Sequence, residues 1–489
     1  MSKLFKINPN DNVSVALEDL KKGYSENGII LLNDVPFGHK VLLTDLKKGD
    51  FVIKYGNPIG KLLRDEKAGA YIHQHNLKTT LDEKKEYDFT GDNTYNPQKS
   101  FASFNGYVRE NGKVGIRNEI WIIPTVGCVN STVRILERKA QKFLKDGIDG
   151  IFTFTHPYGC SQMGDDQENT RKILASLINH PNAAGVLVVS LGCENSNADV
   201  IKSYLGSIDS NRVKFLVTQN EKDEIESGME LLKRLCDYAL QFKRTPVSIN
   251  NLTVGVKCGG SDAFSGITAN ALIGRFTDMI TDNAGSVVLT ETPEMFGAEH
   301  ILMNRCENKS VFNKTVNMIN GYKNYFSSHN EECYENPSPG NHDGGITTLE
   351  EKSLGCIQKG GRAVVTDVLT YGETCFESGL NLLAGPGNDI VSTTNLTAAG
   401  CQLILFSTGR GTPLGAPVPT VKISSNNRLF EKKPSWIDFN AGCLVDSDDF
   451  DSLSKELLDY VIKVASGEKT KNEINGYREI SIFKDGVIM

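Results

Sequence analysis

The 489-residue chain has no CxxC pair, no GxxxxGK(S/T) loop, no GxSxG turn and no apolar run near the ~18 residues that span a bilayer. The first absence argues against a zinc ribbon or a bacterial ferredoxin-type cluster. The second disfavours nucleotide binding, and the third a serine hydrolase of the α/β type. The opening MSKLFKINPNDNVSV lacks the apolar core of a signal peptide, so a cytoplasmic protein is expected. An excess of one charge is also missing. The 53 Lys and Arg against 60 Asp and Glu leave a net −7, which gives no reason to expect a nucleic-acid or membrane partner. An anionic substrate would then need locally placed cations. Eleven cysteines, an odd number scattered over a long chain, do not resemble a secreted disulfide framework. Reduced thiols, some binding metal, fit better.

The length calls for two to four domains. Residues 1–95 hold short β-like runs (VSVAL, GIILL, HKVLLTD, DFVIKYG) between Gly, Asn and Asp, which predicts a small all-β domain. The pentapeptide DLKKG occurs at 19–23 and again at 45–49, which predicts two similar turns. A polar stretch from Leu81 to Ser103 reads as a linker or a loop laid over the surface. Residues 104–245 and 250–489 then alternate apolar strands with amphipathic segments, the pattern of α/β domains built from parallel βα units. Pro246 marks the joint between them.

Three cysteines, Cys128, Cys160 and Cys193, each follow a glycine at the end of an apolar run and recur 32 and 33 residues apart. That period is one strand plus one helix, which brings equivalent strand ends to the carboxyl edge of one sheet, where open α/β sheets bind ligands. Singly, each has the plainer reading of a small buried hydrophobe. Cys258 also follows a strand, in the order Cys-Gly-Gly, and is a weaker fourth candidate. His73 and His75 sit two apart in the strand-like GAYIHQHN, on one face, where they could bind metal or move a proton; the alternative is two histidines on an exposed strand edge. Polar loops supply the rest: Arg117 and Asn118 in GIRNE, Ser261 and Asp262 in GGSD, Asn341 in PSPGN, Lys352 in LEEKSLG and Arg410 in TGRGTP. Arginine can clamp a carboxylate, lysine can serve as a base, and Asn and Ser suit a polyhydroxylated substrate, although a turn or cap role competes at each position.

The chain resembles the altronate dehydratase and galactarate dehydratase family of sugar-acid hydro-lyases. The matching stretches include GHKVLLTDLKKGDFVIKYGNPIG, GYVRENGKVGIRNEIWIIPTVGCVN, HPYGCSQMGDD, LGCEN, CGGSDAFSGITAN, ETPEMFGAE, ENPSPGNHDGGITTLEEKSLG, GPGND, FSTGRGTP and WIDFNAG, in order over nearly the whole chain. The resemblance implies an N-terminal SAF-type β-clip domain carrying the HxHN motif, followed by a two-part dehydratase region. It also implies loss of water from D-altronate to give 2-dehydro-3-deoxy-D-gluconate, with divalent iron required, manganese as the alternative metal and an iron–sulfur cluster still open. Chain length, the run YENPSPGNHDGGITTLEEKSLG and the WIDFNAG ending look closer to the altronate-acting members.

On that footing the expected metal ligands are Cys128, Cys160 and Cys193, with His73 and His75 folded over the metal as acid or base. Lys352 is a second candidate base, Arg117 or Arg410 the carboxylate clamp, and Asn118, Ser261, Asp262 and Asn341 further substrate contacts. A hard metal would instead favour His73 and His75 as ligands, leaving the cysteines structural or holding a separate cluster. Galactarate dehydration is the competing activity, a non-catalytic sugar-acid or metal sensor the competing class, and a homo-oligomer is expected.

Overall fold

The computed structural model describes residues 2–488 except 82–86, 92–94, 96, 99–101, 333–334 and 448. The N-terminal segment forms small antiparallel sheets, as expected for an all-β unit: Leu4–Phe5, Val13–Ala16, Lys40–Leu42 and Tyr71–Ile72 make one, and Phe51–Lys54, Asn57–Leu62 and Leu77–Lys78 another. The two DLKKG segments take the same turn. Gly23 (φ 87°) and Gly49 (φ 89°) both sit in the left-handed region, which glycine adopts without steric cost. The amides of Lys22 and Lys48 each donate to an aspartate side chain, Asp34 and Asp65.

The GAYIHQHN segment departs from the expected strand. Pairing ends at Ile72, and Asn76 closes a turn by accepting from the His73 amide while donating to Glu66 and to the Tyr71 carbonyl. Alternation therefore does not apply beyond Ile72. His73 faces the body of the protein, and His75 is exposed.

Part of the polar stretch read as a linker lies outside the described residues. Its described parts run over the C-terminal unit, where Tyr95 Oη and the Gln98 amide donate to Asp282 and Phe89 packs on Phe312.

The strand Ser103–Val108 pairs antiparallel with Arg244–Ser248, so the chain enters and leaves the second unit side by side. Between them lies a parallel sheet of β1 (Glu119–Pro124), β2 (Gly150–Thr153), β3 (Ala183–Ser190) and β4 (Val213–Val217), in the order β2-β1-β3-β4. The third unit holds seven parallel strands: β5 (Thr253–Cys258), β6 (Ser286–Leu289), β7 (Val365–Leu369), β8 (Gly379–Leu383), β9 (Leu403–Thr408), β10 (Thr420–Ser424) and β11 (Phe439–Asn440), ordered β7-β8-β6-β5-β9-β10-β11. Runs such as AAGVLVVS are buried throughout, as strands covered on both faces require. The expected fold class, an α/β body of parallel βα units behind a small all-β domain, is the one observed.

One apolar core joins the two parallel sheets. Trp121, Ile123, Val186 and Val188 of the smaller pack with Val288, Leu383, Ile404 and Phe406 of the larger. The C-terminal tail returns across this seam: Ile482 is buried in it, and the amides of Asp485 and Gly486 donate to Asp166 at the start of the helix Gly164–Ile178. Among the described residues no helix is long and apolar enough to cross a membrane.

Candidate active site

In the larger sheet the chain runs outward from β5 to one side and from β9 to the other. Crossovers leaving adjacent strands in opposite directions open a crevice at their carboxyl ends, the place where such sheets take ligands. A cleft of about 1040 Å³ lies there, walled by Cys258–Ser261 after β5, Glu294 after β6, Asn388 and Asp389 after β8 and Thr412–Leu414 after β9. Asn336, Asn341 and Lys352 come from a long excursion between β6 and β7, and Tyr477 and Glu479 from the C-terminal tail. Close approach fixes the backbone here. A Cβ on Gly409 would lie 2.2 Å from Asp262 Cγ.

Beneath the cleft is a buried network of opposite charges. Lys257 Nζ bonds Glu291 (2.7 Å) and Asp389 (2.8 Å), Lys359 Nζ bonds Glu291 (2.9 Å) and Cys258 Sγ (3.0 Å), and Lys352 Nζ bonds Glu294 (2.8 Å). Glu291 holds φ 74°, a backbone strain of about 1–3 kcal/mol that persists because two ammonium groups and the Cys258 amide fix its carboxylate. Burial pushes the Glu294 carboxyl up, but Lys352, then Lys359 and Lys257, outweigh it and bring the pKa to about 2. Burial likewise opposes charge on Lys352, yet Glu294 and the nearby thiols raise it above its ordinary value. Lys352 is therefore an ammonium group, a proton donor rather than a ready base.

Cys258, Cys356 and Glu294 meet at the floor. The sulfurs are 3.3 Å apart, and Glu294 Oε2 lies 3.0 Å from Cys356 Sγ and 3.5 Å from Cys258 Sγ. The Cys356 thiol hydrogen bond and the Lys359 ammonium together favour thiolate at Cys258, and the same pairing keeps Cys356 protonated. These three are the group among the described His, Cys, Asp and Glu whose donor atoms all lie within 4.8 Å of one another. Two sulfurs and an oxygen suit a borderline or soft divalent metal. The charges agree: three ammonium groups face three carboxylates, so ionising both thiols leaves a double negative charge for a divalent cation to neutralise.

Several expected substrate contacts are here. Ser261 is buried at the cleft wall, and its Oγ has no partner among the described residues. Asn341 donates to the Ser261 carbonyl (2.8 Å) and so shapes that wall. Asp262 stands behind it and accepts from Ser265, Ser425 and Asn426, with burial raising its carboxyl above the usual range. Lys352 sits on the helix Leu349–Cys356, which is buried along its whole length.

That helix is held by the β-clip. Glu351 Oε2 accepts from Lys40 (2.8 Å) and Oε1 from Lys54 (2.7 Å), Glu350 accepts from Thr79 and Thr80, and Thr348, which caps the helix, donates to the Ile59 carbonyl. His73 Nδ1 lies 3.0 Å from Thr347 Oγ1, and burial, then Lys40 and His39, depress its pKa to about 3. Neither His73 nor His75 lines the cleft.

Other expected residues stand apart. Arg117 is buried with its donors already committed to Glu473 and to the carbonyls of Ile116, Val464 and Glu468. Asn118 ties Gly147 and Ala239 together within the second unit. Arg410 is exposed beside the cleft, its amide on the Gly260 carbonyl. Cys128, Cys160 and Cys193 are exposed after β1, β2 and β3, on the carboxyl edge of the smaller sheet. Sequence reasoning missed Cys356, Glu291, Glu294, Lys257, Lys359 and Asp389. The available signal was position: Glu294 lies in ETPEMFGAE and Asp389 in GPGND, both just after strands.

Residues 249–488 match the family profile described as D-galactarate/Altronate dehydratase, C-terminal, residues 106–240 the D-galactarate dehydratase/Altronate hydrolase second domain, and residues 2–80 the Altronate/galactarate dehydratase SAF domain. The chain is 50% identical to the altronate dehydratase of Escherichia coli (strain K12) over 494 residues, covering 99% of each. It is 49% identical to that of Bacillus subtilis (strain 168), covering all of both chains. Identity to the galactarate dehydratase (L-threo-forming) of Escherichia coli (strain K12) is 30%, over 95% of this chain and 93% of that one. With its cleft, its clip and its end-to-end likeness to these relatives, the chain belongs to the altronate/galactarate dehydratase family of hydro-lyases.

Proposed function

We propose that the protein removes water from D-altronate to give 2-dehydro-3-deoxy-D-gluconate in the cleft between β5 and β9. The observation that carries this reading is the end-to-end identity of about half to two altronate dehydratases, against 30% to the galactarate enzyme. The cleft chemistry supports it. The substrate carboxylate enters the inner end, toward the Lys352 ammonium and the free Ser261 hydroxyl. Asp389, paired with Lys257 and lining the cleft, takes the C2 proton. The C2–H electron pair forms the C2–C3 double bond as the C3–O bond breaks, and Lys352 protonates the departing hydroxide to water. The enol then becomes the 2-keto acid. Positioned acid and base groups contribute about 10²–10⁴-fold each.

Cys258, Glu294 and Cys356 would hold a divalent iron. Bound there, it would supply Lewis-acid polarisation of the carboxylate and a hydroxyl, worth several kcal/mol of barrier. The exposed Cys128, Cys160 and Cys193 are the competing holder, favoured by the position of Cys128 and Cys193 at the smaller sheet's own crevice between β1 and β3. His73 is a positioning residue in this reading, acting through Thr347 on the Lys352 helix.

The test is formation of 2-keto acid from D-altronate by protein reconstituted anaerobically with iron, with galactarate alongside. Turnover of altronate above galactarate is expected; turnover of neither would overturn the proposal.

A further inference from the structure

The charge of the cleft is divided along its depth. The buried carboxylate Glu294 and the partly buried Asp389 carry ion pairs to Lys352 and Lys257. Glu335 and Glu479, both exposed, line the same cleft and carry no ion pair among the described residues. The buried lining thus offers the Lys352 ammonium, held by Glu294 and Asn336, and the Ser261 hydroxyl, which has no partner among the described residues, while the solvent-exposed lining offers two carboxylates with no ion pair among those residues.

The outer wall is built rather than loose. The Glu479 amide donates to the Gly415 carbonyl (3.0 Å), and a Cβ on Gly415 would lie 1.9 Å from the Tyr477 carbonyl oxygen, so the tail and the loop touch backbone to backbone. Between them Arg478 is locked by Glu119 at 2.8 Å and 3.0 Å and stacks 3.9 Å over the Phe152 ring. A glutamate on so fixed a segment presents its charge at a defined place.

We propose that Glu335 and Glu479 are specificity-determining residues that select a sugar acid with one carboxylate. They accept hydrogen bonds from the hydroxyls at its far end and reject a diacid by like-charge repulsion. This rests on the dehydratase reading of the cleft. A monoacid has one way to enter that satisfies both ends: carboxylate inward and hydroxyls outward. A diacid of the same length sets its second carboxylate against two unpaired ones, and discrimination built from a repulsive element is effective because the wrong ligand keeps the penalty in every pose.

The experiment compares kcat/KM for D-altronate and galactarate in the iron-loaded wild type, E335Q, E479Q and the double variant. The galactarate-to-altronate ratio should rise about tenfold in the double variant, mostly through KM, and the gain should shrink at high salt as the wild-type repulsion is screened. A ratio within twofold of wild type overturns the inference. Failure of the wild type to dehydrate either acid sinks the dehydratase reading instead. The inference is then read from competitive binding of gluconate against galactarate, measured calorimetrically with the same variants, where an unchanged preference refutes it.

Discussion

Two parallel sheets in this molecule each reverse strand order at one point and carry thiols beyond their strand ends, yet their carboxyl edges differ. In each, the crevice opens between strands whose crossovers diverge, β1 and β3 in the smaller sheet, β5 and β9 in the larger. At the smaller edge Glu194 accepts from Thr125, Ser190 and the amides of Leu191 and Gly192, and the cysteines there are exposed. The larger edge leaves a cleft, an unpartnered serine hydroxyl and a buried cluster of sulfur, carboxylate and ammonium. Topology marks where a site can be. Both edges leave buried polar atoms without a partner among the described residues, Asn130 Oδ1 and Gln162 Nε2 at the smaller and Ser261 Oγ at the larger, but at the larger that atom lines a cleft.

The largest expected effect tests the occupied edge. Lys352→Met removes the proposed proton donor and should lower kcat by about 10³-fold. It also leaves Glu294 without its nearest cation in a buried site, which should cost about 3–5 kcal/mol of stability, read as a fall in Tm. A variant with near-native turnover would move the acid elsewhere.

Next comes a direct contest between the edges. Cys356→Ser should strip iron and reduce activity by about 10²–10³-fold, the rate equivalent of several kcal/mol, while Cys160→Ser keeps both. Elemental analysis beside turnover decides it, and the reverse pattern would return the metal to the smaller sheet. Alkylation of the folded protein should meanwhile label Cys128, Cys160 and Cys193 ahead of the buried pair.

The β-clip gives the third test. Glu351 is drawn to a pKa of about 2, since Lys40 and Lys54 overcome the burial that pushes it up. Its folded value lies below its unfolded one, so this stability is fully present above the ordinary carboxylate range and is lost as pH falls toward 2. Glu351→Gln should lower Tm at pH 7, by about 3–5 kcal/mol of stability, and flatten the acid limb of the stability curve. If its Tm falls equally at pH 3 and pH 7, the ion triad is not the cause.

The fold was largely legible because strand and helix periods and turn residues are local signals, and the DLKKG repeat is local twice over. Part of the candidate site has local signals too: Ser261 and Asp262 belong to a glycine-flanked loop after a strand, and Asn341 and Lys352 to glycine-containing runs that form the short helices Pro339–Asp343 and Leu349–Cys356. What was not legible depends on partners distant in sequence. Arg117 looks like a free guanidinium until Glu473 and three carbonyls are brought to it. The period of the three Gly-Cys strand ends is real, but exposure is set by what packs above them. Cys258 and Cys356 lie 98 residues apart with no shared period, so their pairing had no sequence signal. His73 and His75 failed as a one-face pair because a single side chain, Asn76, ends the strand.

The smallest expected effect isolates the difference between the edges in two serines. Ser190 closes β3 with its hydroxyl on Glu194, whereas the hydroxyl of Ser261, just after β5, has no partner among the described residues. Removing a satisfied donor from a buried carboxylate costs about 1–3 kcal/mol, so Ser190→Ala should lower Tm and leave KM for altronate unchanged. Ser261→Ala removes a hydroxyl that is buried without a partner, so it should hold or raise Tm while raising KM about tenfold, the equivalent of one hydrogen bond made only to substrate. Opposite signs in stability with the KM change confined to Ser261 sharpen the contrast. Equal destabilisation with no change in KM would mean that both hydroxyls serve the fold alone, and that the larger edge is no more open to ligand than the smaller.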